Sequence, residues 1–189
     1  PQGYMQTFTL FSWEMIEKAG VISMPGGDGK MALVDVRDVA KVAVKALTEP
    51  GHAGKIYDVT GLVALGFADQ AAILTKTLGK RVTYMPCSEW QLKCIMSVLG
   101  VPETPAEHVV GVFRMQRENR LEKVHPTLKD LGIPYTPYEQ FAADLVAGRT
   151  GGGNSFQPPD SLFVKALNAS FIVTMRVRHQ LHSVFSLLR

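Results

Sequence analysis

Val34-Asp35-Val36-Arg37-Asp38-Val39-Ala40 closes one apolar run and opens another of a different period. Residues 30–34 read as a short buried strand. The positions that follow, Val36, Val39, Ala40, Ala43, Val44 and Leu47, recur three and four apart and give one apolar helix face, with Lys41 and Lys45 on the other side. A carboxylate at such a junction accepts hydrogen bonds from the first free amides of the helix, so Asp35 or Asp38 suits the cap. Two readings of Asp35, Arg37 and Asp38 stand side by side: a cap with a local ion pair, or a direct contact with substrate or cofactor at the edge of a site. Pro50, Gly51 and Gly54 end the helix, and residues 55–60 read as the next strand.

Upstream, residues 6–19 fit a helix with Phe8, Phe11, Met15 and Ile16 on one face and Gly20 as a left-handed stop. Residues 21–24 fit a strand, and Pro25-Gly26-Gly27-Asp28-Gly29 is expected to turn it as a hairpin into residues 30–34. Downstream, a helix is predicted over 67–78, with Gly66 where a serine cap is usual, and a strand over 81–85. Ser88-x-x-Gln91 is a capping-box pattern for a helix over 90–99. A polar helix follows over about 105–120, and Thr136-Pro137-Tyr138-Glu139 supplies cap, first-turn proline and capping-box acid for a last helix through Phe141 and Leu145.

The pattern stops near residue 148. Residues 148–160 have the glycine and proline content of a flexible linker, which divides the chain into a folded part over 1–147 and a separate segment over 161–189. That last segment has no acidic residue and carries four positive charges, leaving −1 for the remainder of a chain whose net charge is +3. Its apolar residues match neither one strand nor one helix, so a flexible, poorly ordered basic tail is expected, and membrane contact is the weaker reading.

With 189 residues and 46% hydrophobic content the chain can bury one core. A net charge of +3 without a basic, aromatic-rich block argues against nucleic acid as a partner. Cys87 and Cys94 form neither a disulfide framework nor a zinc motif, so no metal is assigned and a reducing, cytoplasmic setting is expected. The histidines are scattered; His179-x-x-His182 lacks a third donor.

Pro1-Gln2-Gly3-Tyr4-Met5-Gln6-Thr7 resembles the "RP-x-x-F-M-x-N" segment of the NmrA-like proteins, atypical relatives of the short-chain dehydrogenase/reductases, with Thr7 in place of the asparagine. Met24-Pro25 to Lys30 resembles that family's P-x-G-D-G-K/R turn, and the 34–40 stretch its hallmark turn. Gly54-Lys55-Ile56-Tyr57-Asp58-Val59-Thr60-Gly61 is similar to its "GKxYxLTG", and Leu65-Gly66-Phe67-Ala68-Asp69 to its "LSFAD", with Gly66 replacing the serine. These motifs run in the family's order from Pro1 to about Leu145.

The resemblance implies an α/β fold: the C-terminal portion of an extended Rossmann-type reductase, with few strands and several helices. It implies an NAD(P)H-dependent oxidoreductase acting on a quinone-like or carbonyl acceptor, with a small-molecule substrate and NAD(P) held by the complete parent protein. Tyr4, Met5, Met24, Asp35 and Arg37 are the candidates for the substrate and nicotinamide side; Asp28 is a weaker one. The alternative is a non-catalytic NAD(P)-sensing or protein-binding module.

No catalytic group can be assigned, because no tyrosine has a lysine four residues on. No cofactor is placed in this chain. Gly27-x-Gly29-x-x-Ala32 has the letters of a dinucleotide loop, but a pyrophosphate needs the free amides of a helix that follows, and another strand is predicted there. A parallel sheet without half of its strands leaves an edge and apolar faces open, so a protein partner or self-association is expected.

Overall fold

The computed structural model describes residues 3–98 and 100–148 of the chain. The linker and tail calls, His179 and His182 among them, lie outside the described residues, as do the side chains of Phe8 and Phe11.

Among the described residues the elements run α1 (Met5–Ala19), β1 (Val21–Ile22), α2 (Val36–Thr48), α3 (Phe67–Leu78), β2 (Thr83–Tyr84), α4 (Glu89–Val98), α5 (Glu103–Arg117), α6 (Thr127–Asp130) and α7 (Tyr138–Val146). The fold is α/β. Strands β1 and β2 pair in parallel, Val21 opposite Thr83 and Ile22 opposite Tyr84. The chain enters β1 through Gly20, whose φ of 66° favours glycine and whose added Cβ would lie 2.5 Å from the Arg81 carbonyl oxygen.

Helix α3 packs on α7, and α4 on α5. The main core collects Met5, Ile16, Met31, Leu33, Phe67, Leu74, Val110, Phe113 and Phe141 from most of these elements. Phe67 links its parts, with ring centroids 5.3 Å from Tyr84 and 6.0 Å from Phe113. A smaller cluster of Val34, Val42, Val59 and Leu128 lies beneath α2.

Local capping follows the sequence in several places. Asp35 caps α2 by accepting the Arg37 amide at 2.8 Å. Ser88 and Gln91 complete both halves of their box, at 2.8 and 3.1 Å. At α3 the glycine cap can offer only its amide, and Asp69 accepts it at 2.9 Å.

Tertiary contacts override the sequence pattern elsewhere. The expected hairpin over 21–34 does not form: β1 pairs with β2, while Met31 bridges Leu65 and Val34 bridges Tyr4. Its turn is held instead by α5, where Gln116 Nε2 donates to the Gly29 carbonyl at 3.0 Å and Arg117 to that of Pro25 at 2.9 Å. Residues 55–60 run without a strand partner among the described residues. Helix α2 buries Asp38 and Val42, leaving Val36, Val44 and Leu47 of its apolar face exposed. Thr136 does not cap α7; it is drawn to Asp38. Trp13 packs against the core, whereas Trp90 is exposed.

Candidate functional site

In open α/β sheets ligands sit beyond the carboxyl ends of the strands. Here β1 runs out into Ser23 and Met24, and β2 into Met85, Pro86 and Cys87. Ser23 is buried, with its hydroxyl beside the Cys87 thiol. Burial pushes the Cys87 thiol above its ordinary pKa, an effect the Ser23 hydroxyl beside it opposes. Met24 is buried, and its carbonyl accepts from the Tyr84 hydroxyl at 2.8 Å. Burial pushes Tyr84 up to about 12, against the pull of the Gly26 and Gly27 amides and with help from the Cys87 and Asp28 charges.

The wall beside these strand ends is the turn clamped by α5. Gln116 is buried, with its Oε1 unpartnered among the described residues. Arg117 joins the turn to α4 through Glu89, which also pairs with Arg114 at 2.6 Å. Hydrogen bonds from Arg114 and then Arg117 hold the Glu89 carboxyl down at about 2. The cluster therefore offers a buried hydroxyl, a thiol and a phenol that stays protonated at neutral pH.

A second polar centre forms where α1, α2 and α7 converge. Asp35 is fully buried and accepts from Gln6 Nε2 at 2.8 Å and from the Arg37 amide at 2.8 Å. Arg37 closes a fork on both Asp35 oxygens, at 3.0 and 2.7 Å, and reaches Asp144 at 2.7 Å. Burial alone would raise the Asp35 pKa, but the bonds from Arg37 and Gln6 outweigh it and hold the carboxyl below its usual value. Pairing with Asp35 and then Asp144 raises the guanidinium in turn. One turn on, buried Asp38 accepts from the Thr136 amide at 2.7 Å, the Thr136 hydroxyl at 2.9 Å and Lys41 at 2.8 Å.

The structure thus joins Asp35 to Arg37 directly. Tyr4 is tied to the same turn through its bridge to Val34. Met5 and Met24 share the main apolar cluster, and Asp28 lies in the clamped turn near Tyr84. Sequence reasoning missed Gln6, Thr136 and Asp144, whose partners lie 29, 98 and 107 residues away. It also missed Ser23, Tyr84 and Gln116; no local signal marks a buried polar side chain whose surroundings are assembled by other elements.

The 25–29 turn does not fit a pyrophosphate. An added Cβ at Gly26 would meet the Phe67 ring at 2.5 Å, and one at Gly29 would meet the Gln116 carbonyl oxygen at 1.9 Å. These glycines make room for α3 and α5, and the residues after them form isolated bridges in place of a helix. No group of three or more metal-ligating side chains occurs among the described residues, and no helix there is long and apolar enough to cross a membrane.

No family model matches the chain. It is 36% identical over 143 residues to the NAD(P)H azoreductase of Xenophilus azovorans, a match covering 75% of this chain and 50% of that protein. The crystal structure of an NADPH-dependent quinone oxidoreductase from Escherichia coli superimposes with a TM-score of 0.68 at 30% identity, over 76% of this chain and 52% of that one. Citrobacter sp. triphenylmethane reductase complexed with NADP(H) gives a TM-score of 0.67 at 26% identity, over 76% and 50%. These likenesses are consistent with a fragment of the NmrA-like family, and the chain spans about half the length of the relatives it matches.

Proposed function

We propose that this chain is the substrate-covering half of an NAD(P)H-dependent reductase whose acceptor is quinone-like or carbonyl-bearing. The observation that carries the reading is its similarity, over three quarters of its length, to reductases of azo, quinone and triphenylmethane compounds. The geometry agrees in one respect: a strand end carries the buried Ser23 hydroxyl, a donor that can hydrogen-bond the oxygen of a carbonyl acceptor, whereas the Tyr84 proton is already given to the Met24 carbonyl. The dinucleotide belongs to the other half of the protein, where hydride would be supplied. Tyr4 and Met24 stand on the nicotinamide side; Met5 packs beneath them, and Asp35 and Arg37 set the angle between α1 and α2. The division into a folded 1–147 part, a 148–160 linker and a 161–189 tail is retained, as is a reducing, cytoplasmic setting for two free cysteines. A dinucleotide-sensing module without chemistry finds no support in the relatives described.

The test has two arms. The parent protein, carrying its upstream half, should oxidise NADPH in the presence of a benzoquinone, followed at the nicotinamide absorbance. No acceptor-dependent oxidation with quinone, azo dye or simple carbonyl overturns the reading. The 189-residue chain alone, titrated calorimetrically with NADPH and NADH, should show no saturable binding at micromolar levels.

A further inference from the structure

Beyond the carboxyl ends of β1 and β2 the described residues leave a tryptophan in the open. Trp90 stands three residues past buried Cys87, in the first turn of α4, and is 72% exposed. A side chain of this size is ordinarily well covered. Leu92 and Met96 already form the buried face of α4, so the helix does not need the indole for its own packing. Among the described residues no other ring meets it.

Two features set the ring over the strand ends. Side chains of a helix lean toward its amino end, so a residue in the first turn covers the segment that leads into the helix, here Pro86, Cys87 and Ser88. The same turn is tied to the end of β1: Arg117 pairs with Glu89 at 2.5 Å and donates to the Pro25 carbonyl at 2.9 Å. The Ser88 and Gln91 box fixes its backbone. The indole thus rises from a rigid base at the rim of the region where an open α/β sheet receives its ligand. A flat, polarisable face held there in advance suits a flat aromatic ligand, because stacking strengthens with ring overlap and little side-chain freedom is left to lose.

We propose that Trp90 stacks on the ring system of the acceptor and sets a preference for fused-ring acceptors over single-ring ones. The inference rests on the proposed reductase and adds to it the residue that selects among acceptors. Trp90 acts on binding and takes no part in hydride or proton transfer.

The test uses the parent protein loaded with NADP+, which supplies no hydride, so that binding is read without turnover. The probes are 2,3-dimethyl-1,4-naphthoquinone and tetramethyl-1,4-benzoquinone, whose methyl groups block addition of thiols, and binding is followed by difference absorbance. Trp90→Ala should weaken the naphthoquinone about tenfold and the benzoquinone no more than about twofold, while Trp90→Phe should hold the naphthoquinone within about threefold. With NADPH, the naphthoquinone KM should rise in step with its Kd, and kcat and the NADPH KM should stay within about twofold. The melting temperature should not move, since the side chain is exposed. Equal losses for the two quinones, a phenylalanine variant as impaired as the alanine one, a fall in kcat alone, or no naphthoquinone binding by the parent overturns the inference. Binding that depends on Trp90 in a protein that oxidises no NADPH upholds it and removes the reductase reading; turnover with an acceptor preference indifferent to Trp90 does the reverse.

Discussion

Arg37 and Asp144 meet at 2.7 Å although 107 residues separate them, and the same guanidinium grips buried Asp35. This fork fastens the start of α2 to α7. Arg37→Ala strands the Asp35 carboxylate in the interior, and because the guanidinium itself is partly exposed the loss should be about 2 kcal/mol rather than the larger cost of a fully buried pair. Asp144→Ala should cost about 1 kcal/mol. Urea denaturation of the two single variants and the double variant measures the coupling; additive losses would show that the Arg37–Asp144 contact contributes nothing.

Acid should loosen the molecule in a defined window. The Glu89 carboxyl falls from an ordinary 4.5 to about 2 in the fold, so the stability it contributes is complete above 4.5 and is lost as pH drops toward 2. Asp35 is shifted in the same direction, and its contribution fades as pH falls below the ordinary aspartate value of 3.8. For solvent-facing Glu89 the effect is about 1 kcal/mol or less. Glu89→Gln should flatten that part of the stability-against-pH curve measured by chemical denaturation, and an unchanged slope would remove Glu89 from the account.

On the alkaline side, burial pushes Tyr84 and Tyr135 from 10.0 up to about 12. Their protonated forms are favoured in the fold, so this contribution is complete below pH 10 and is lost as pH rises through about 12. Spectrophotometric titration should place two phenols in the late limb. Tyr84→Phe and Tyr135→Phe should each remove one of them, and a titration with every tyrosine ionised by pH 11 contradicts the assigned burial.

Two glycines should respond oppositely to alanine. At Gly29 the new methyl would lie 1.9 Å from the Gln116 carbonyl oxygen, a backbone atom that cannot swing aside, so Gly29→Ala should cost more than about 3 kcal/mol or prevent folding. Gly111 lies within α5 and a Cβ there meets nothing within 4 Å, so Gly111→Ala should stabilise by roughly 0.5–1 kcal/mol. Thermal melting of the two variants checks both signs.

Helix positions and their caps were legible in the chain because they depend on neighbours three or four residues away: Asp35 at α2, the Ser88 and Gln91 pair at α4, and α3 with the bounds expected for it. Strand pairing was not. Residues 21–22 were free by pattern to turn back on 30–34, and what decided against it was the hold of Gln116 and Arg117 on the turn, a contact with no local trace. The 55–60 run has strand character, but a strand exists only with a partner. The apolar face of α2 was legible as a stripe, but periodicity reports that a face wants cover without naming what covers it. The candidate site divided along the same line: Asp35 and Arg37 could be found, whereas Ser23, Tyr84 and Gln116 acquire meaning only from where β1, β2 and α5 come together.

The Thr136 clasp on Asp38 has a topological consequence. It and the Arg37–Asp144 link both lie at the amino end of α2, so the exposed 50–54 turn at the helix's far end is not what retains the helix. A protease nick there would sever the polypeptide yet leave both pieces latched, making that turn the natural place to open the chain and reconnect it in a permuted order.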